Sequence, residues 1–146
     1  AMQVYDQRHV LNVAHTAKKI IEQKQYENID YNLLIRACLL HDVGRTAKDI
    51  CLMDKVTSVL LGKFLPQKSK QWANRAEKLK LNKSKSFWQK RRYALYIYYN
   101  HARLGAEKLN ELGLNDIAEI IRYHHEKVDC KACGELQILC LADSLN

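Results

Sequence analysis

A chain of 146 residues, 47% hydrophobic and 27% charged, can bury one real core but not several. No apolar run approaches the roughly 18 residues of a membrane span and no secretory leader is visible, so a membrane-embedded protein is excluded and a cytoplasmic one expected. The formal net charge of +8 is uneven: Lys63 to Arg92 holds eleven Lys or Arg and one acid, Glu77, while the rest holds thirteen basic and fifteen acidic residues. The basic character therefore belongs to one insert-like stretch.

Five cysteines, an odd number set mostly among apolar residues, suit a reducing compartment better than a disulfide framework. One proline and five glycines, with abundant Leu, Ala, Lys and Glu, predict an all-α fold. Ala1-Met2 reads as a remnant ahead of a natural start. Tyr5 to Gln25 predicts an amphipathic helix, with Val10, Val13, Ala14, Ala17, Ile20 and Ile21 at helical spacing. His9 adjoins that apolar face; His15 points well away from His9 and reads as a surface or capping residue.

After a turn at Glu27 to Asp30, Asp30 or Asn32 can cap the helix that follows. That helix, Leu33 to Arg45, is apolar on nearly all sides and ends in an adjacent His41-Asp42 pair. Burying such a pair bare is costly, so it is either salt-bridged at a helix end or it ligates something. Adjacent helical positions point about 100° apart, so the two cannot chelate one ion in the i,i+4 manner. They would serve two ions, or one ion from a helix that is ending. Gly44 is placed as the left-handed stop.

Thr46 to Leu61 predicts a helix, Gly62 to Ser69 a loop around Pro66, and Gln71 to Leu81 another helix. Asn82 to Ser86 is a polar break. A long helix runs from near Ser86 through His101, with room for a bend near Asn100, and continues over Ala106 to Leu112 before Gly113 closes it. Asn115 caps a helix over Asp116 to His125, a loop holds Cys130 and Cys133, and a last helix covers Glu135 to Leu145 with Asp143 on its apolar stripe. No repeat, low-complexity tail or two-residue alternation of a strand is present.

Together, His9, His41, Asp42, His101, His124, His125 and Asp143 sit on or beside apolar faces, or at helix ends, and include five of the six histidines. Imidazole with carboxylate suits Fe, Mn, Co, Ni or Zn rather than Ca or Mg. Seven ligands exceed one ion and match two divalent transition-metal ions sharing a carboxylate, about 3.5–4 Å apart, able to activate water and clamp a phosphoryl group. The competing account is a set of independent core or capping histidines.

The order His…His-Asp…His…His-His…Asp resembles the HD-domain metal-dependent phosphohydrolase superfamily. Arg8-His9-Val10-Leu11-Asn12-Val13-Ala14 is similar to its first motif, and Cys38-Leu39-Leu40-His41-Asp42-Val43-Gly44-Arg45 to the motif that gives the family its name. Asn100 to Ala106 and Ile121 to Glu126 resemble later motifs of the HD-GYP branch, and Leu139 to Leu145 the closing aspartate helix. The likeness covers roughly residues 5–50 and 93–146.

The resemblance implies an all-α helical bundle around a metal centre between core helices. His9, His41, Asp42 and Asp143 would hold one ion; Asp42 would bridge; His101, His124 and His125 would hold the second. The implied chemistry is hydrolysis of phosphate esters or anhydrides, on substrates that across the superfamily include nucleotides, dinucleoside polyphosphates, cyclic dinucleotides and alarmones. Three departures narrow this. Lys127 to Cys133 replaces the branch's Gly-Tyr-Pro motif, which argues against cyclic di-GMP. Tyr5 stands where a glutamate accompanies a third metal, so two ions at most are expected. Arg45 stands where a lysine often follows; it can hold a phosphate oxygen but not give up a proton.

The reading is thus one domain over residues 1–146 with a basic, aromatic insert at about 63–92. It would act as a metal-dependent phosphohydrolase on a small nucleotide-like substrate, with Asp42 and Arg45 catalytic and Arg45 and Arg103 on the substrate. The alternative is a catalytically weak module that binds a nucleotide, or nucleic acid through the insert. The insert's Trp72, Phe87, Trp88 and Tyr93 among basic residues have the composition of a nucleic-acid or polyphosphate surface. A solvated face with aromatics packed inward is the favoured account, and no membrane partner is expected. Cys130-x-x-Cys133 has no second pair to complete a zinc site and reads as loop cysteines without function.

Overall fold

The computed structural model describes residues 4–23, 26, 28–45, 51–77, 86–126 and 133–146. Among these residues the chain is all-α: α1 (Val4–Gln23), α2 (Tyr31–Leu40), a 3₁₀ turn (Val43–Arg45), α3 (Leu52–Phe64), α4 (Pro66–Arg75), α5 (Phe87–Glu111), α6 (Asn115–Tyr123) and α7 (Gly134–Ser144). It divides into two compact units, residues 1–46 with 102–146, and residues 47–101. The second takes in the basic insert and begins well before residue 63.

In the first unit, α1 packs on α2 and α7, α2 on α6 and α7, and α6 on α7. Val13, Ala17, Leu34, Ala37, Cys38, Ile117, Ile121, Ile138 and Leu139 form its core. Leu34, Ile117, Ile121 and Leu139 are each 2% exposed or less, and burying one such side chain stabilises the fold by roughly 2 kcal/mol. Asp30 is the cap of α2, its Oδ1 accepting from the Leu33 amide at 3.0 Å, and its own amide donates to Glu135 Oε1 on α7 at 2.8 Å. The starts of α2 and α7 are therefore tied together.

Two local expectations need correction. Gly44 is not a left-handed stop: the only positive-φ glycine among the described residues is Gly113, at φ 74°, which closes α5 as expected. Gly44 instead lies in the 3₁₀ turn, against Gly105 of α5, where an added Cβ would come 3.2 Å from the Gly44 nitrogen. The glycine pair lets the turn after His41-Asp42 approach α5 closely. Asn115 opens α6 as its first helical residue; the cap position is Leu114, without a side-chain bond.

In the second unit, the loop expected at Gly62 to Ser69 is mostly helix. α3 continues to Phe64 and α4 begins at Pro66. A proline at the first helical position loses no hydrogen bond, so it starts a helix as readily as it breaks one. Gly62 lies on the Tyr98 ring of α5, 2.6 Å from where its Cβ would be, and Ser69 Oγ and Tyr99 Oη share a 2.7 Å hydrogen bond. The aromatics do not all pack inward: Trp72, Phe87 and Trp88 are 40%, 60% and 72% exposed. The expected polar break at 82–85, the end of the helix at 78–81 and Cys130 lie outside the described residues.

Candidate metal centre

The first unit brings side chains from four separated segments to one place. His9 projects from the first half of α1, half-buried beside Val10. His41 is the residue after α2 and is fully buried, with Asp42 next to it at 3% exposure. His124 and His125 follow α6, and Asp143 comes from the last turn of α7.

His9 Nε2 is 3.2 Å from Asp143 Oδ1 and His41 Nε2 is 3.5 Å from the same oxygen. Asp42 closes the group, its Oδ2 3.9 Å from His9 Nε2 and its Oδ1 3.8 Å from His41 Nε2. Donors about 2.0–2.2 Å from one ion stand roughly 3.0–3.4 Å apart. The spacing is thus that of a coordination shell, slightly open on the Asp42 side. Rings continue the cluster: His41 lies 5.3 Å from His9 and 5.4 Å from His124, and His124 lies 4.0 Å from His125, between centroids.

The backbone sets which nitrogen each buried imidazole presents. His41 Nδ1 donates to the Cys38 carbonyl at 2.7 Å and His124 Nδ1 to the Ile121 carbonyl at 2.6 Å. In the second unit, His101 Nδ1 donates likewise to the Tyr98 carbonyl at 2.7 Å. A carbonyl only accepts, so Nδ1 carries the hydrogen and the neutral ring offers the Nε2 lone pair, as metal-binding histidines do. His41 Nε2 is buried and makes no hydrogen bond of its own among the described residues. An orphaned ring nitrogen beside two carboxylates is what a divalent ion would satisfy. The residues fit a metal.

The electrostatics agree. Burial works against charge on His41, but the Asp143 carboxylate beside its Nε2 and the Asp42 charge outweigh it and raise its pKa. Burial would raise the pKa of Asp143, yet the His41 and His9 imidazoles beside it hold its carboxyl well below the usual carboxylate range. Without a cation, a proton on His41 offsets the two carboxylates; a bound ion would displace it. His124 is the opposite case: burial, then the neighbouring His125, push it down to about 4. It is neutral at physiological pH, the state a ligand needs. The His125 pKa is also lowered, first by desolvation of its ring and then by the charge of Arg45.

Arg45 Nη1 donates to Asp42 Oδ2 at 3.0 Å, with 29% of its side chain exposed. It therefore orients one carboxylate of the site while part of its side chain faces solvent. Arg103 donates to Glu107 at 2.6 Å on the exposed side of α5. His15 is exposed, as expected. His101 is the last residue of the second unit.

Sequence reading missed the supports. The Cys38 and Ile121 carbonyls each sit three residues before the histidine they orient, a spacing visible only once the helix ends are known. Cys140 Sγ donates to the His124 carbonyl at 3.1 Å, steadying the turn after α6. Burial and then the Asp143 charge push the Cys38 thiol up to about 12 and the Cys140 thiol up to about 11. Both stay protonated, so neither is a thiolate ligand.

Compared with known families, the chain matches the family described as HD domain over residues 7–146. It belongs to the HD-domain family, which is generally one of metal-dependent hydrolases. No curated protein and no solved structure matches it. No helix among the described residues is long and apolar enough to cross a membrane.

Proposed function

We propose that the protein is a metal-dependent phosphohydrolase acting on a nucleotide or similar small phosphate ester or anhydride. The observation that carries this is the convergence of His9, His41 and Asp143, with Asp42 3.8 and 3.9 Å from the two imidazoles, in a chain that belongs to the HD-domain family. His9, His41 and Asp143, with Asp42, would hold one divalent transition-metal ion, and His124 and His125 would contribute to a second. The common Nδ1-to-carbonyl bonding of His41 and His124 supports this assignment, because it leaves Nε2 of each ring as the ligand atom. When bound, the ions would supply Lewis acidity for activating water and neutralising phosphoryl charge.

The chain's own groups then have defined tasks. Asp42, buried and held by Arg45, faces the ring nitrogens of His9 and His41. Arg45 turns its solvent-facing side to a phosphate oxygen and holds the substrate by a charge-assisted hydrogen bond. Its part is to hold and orient, with no proton transferred. Arg103 is a second substrate contact, on releasing Glu107.

The test is turnover of nucleotide mono-, di- and triphosphates, cyclic nucleotides and dinucleoside polyphosphates by protein loaded with Mn²⁺, Fe²⁺, Co²⁺, Ni²⁺ or Zn²⁺. Hydrolysis of at least one, abolished in Asp42→Ala, supports the enzyme. Nucleotide binding without turnover on any substrate and metal would make it a catalytically weak binding module instead.

A further inference from the structure

Within the second unit, α3 is inside out. Its buried side is polar or small: Asp54 and Ser58 are 7% and 2% exposed, and Gly62 lies against Tyr98. Its outer side carries Met53, Val56, Val59, Leu60 and Phe64, exposed at 63%, 44%, 46%, 48% and 73%. At 100° per residue these five span an arc of about 140°, with exposed Lys63 inside it. A helix built only to fold would turn this arc to the core. These side chains add nothing to the core they face away from.

The charge of the unit indicates what covers the arc. Residues 47–101 carry thirteen Lys or Arg against three acids, so this unit holds the whole excess of positive charge. On α4, which packs on α3, Trp72 is exposed between Lys68 and Arg75, one helical turn to either side. α5 opens with exposed Phe87 and Trp88, then Lys90, Arg91 and Arg92, with the Arg91 guanidinium 4.7 Å over the Phe87 ring. An exposed aliphatic arc with a lysine inside it, in a unit rich in lysine, arginine and exposed tryptophan, has the composition of a surface lying in an anionic lipid interface. A second copy of this chain would set one strongly basic surface against another. A nucleic acid would use the aromatics and the charge but leave Val56, Val59 and Leu60 with nothing to stack on.

We propose that the α3 face of the second unit docks peripherally on an anionic phospholipid surface, with Met53, Val56, Leu60 and Phe64 entering the headgroup–acyl boundary and Lys63, with other exposed basic residues of the unit, contacting lipid phosphates. No spanning helix is needed for such a contact. The expectation of no membrane partner rested on the lack of a span, which does not bear on a peripheral one.

The test is co-sedimentation of the full chain with vesicles of phosphatidylcholine alone and of phosphatidylcholine mixed with phosphatidylglycerol, with tryptophan emission read in parallel. The expected result is binding to the anionic vesicles only, a blue shift on binding, and loss of about tenfold or more in affinity for the charge-neutral variant Leu60→Ser/Phe64→Ser. Raised salt weakens binding of both proteins. No binding to anionic vesicles, or equal binding to neutral ones, overturns the proposal. So does full retention by the double variant, which would mean charge alone, or binding of single-stranded RNA or an acidic peptide in place of vesicles. Should the double variant lose its helical circular dichroism, Phe64→Ser alone, at the most exposed position of the arc, carries the same comparison.

Discussion

His9 Nε2 lies 3.2 Å from Asp143 Oδ1, although the two residues come from opposite ends of the chain. The contact joins the first helix to the last, and His41 Nε2 reaches the same oxygen at 3.5 Å. One carboxylate thus holds two imidazoles at the distance an ion would hold all three. Replacing Asp143 by Ala should remove bound metal, with loss of about tenfold or more in affinity. Titration of the purified protein with Co²⁺, followed by its visible absorption, checks this; unchanged affinity would remove Asp143 from the ligand set.

The folded state of the metal-free protein should weaken on mild acidification, through His124. Its pKa is near 4 when folded against 6.5 for an imidazole in water. A group with a depressed folded pKa contributes stability that is present above its unfolded value and lost as pH falls towards the folded one. Between pH 6.5 and about 4 this costs up to about 3 kcal/mol. His41 works in the opposite sense: its raised pKa adds stability below 6.5 that is lost as the pH rises. Urea unfolding with chelator at pH 7 and pH 4.5, for the natural chain and His124→Gln, separates the two. The variant should show the smaller loss on acidification; an equal loss in both would refute the assignment to His124.

Gly105→Ala weighs two effects. Removing a glycine from a helix interior gains about 1 kcal/mol. The new methyl, however, would stand 3.2 Å from the Gly44 nitrogen and 3.3 Å from Val43 Cγ1, and crowding of this kind costs about 1–3 kcal/mol. The neighbour is backbone that directly follows His41-Asp42 and cannot yield without moving the site. The net expectation is a loss of about 1 kcal/mol in stability together with weaker metal binding. A more stable protein with unchanged metal affinity would show that the turn is free to shift.

Arg45 separates charge from shape. Arg45→Lys keeps a cation but loses the fork that spans Asp42 and a phosphate; Arg45→Ala loses both. On the best substrate of the panel, Arg45→Ala should raise KM by about tenfold or more, with Arg45→Lys in between. Equal kinetics for all three proteins would place Arg45 in a purely structural role.

Much of the candidate site was legible because several of its residues sit beside an apolar face whose period the sequence displays. Asp143 on the stripe of α7 and His9 beside that of α1 are examples. Local geometry was less so. Gly44 reads as a helix stop by type, but the close approach of Gly105 decides its use, and that contact is not local. Pro66 reads as a loop marker because its other common place, the first turn of a helix, looks the same in sequence. The exposed arc of α3 has the right period for a core helix. Only the burial of Asp54 and Ser58 reveals that its apolar side faces out.

The central claim is that His9, His41, Asp42 and Asp143 form one metal site. Anomalous diffraction from crystals grown with Mn²⁺ tests it most directly. The account predicts a peak within bonding distance of His9 Nε2, His41 Nε2 and Asp143 Oδ1, absent in His41→Ala. Crystals containing Mn²⁺ elsewhere, with no peak among those atoms, would contradict it.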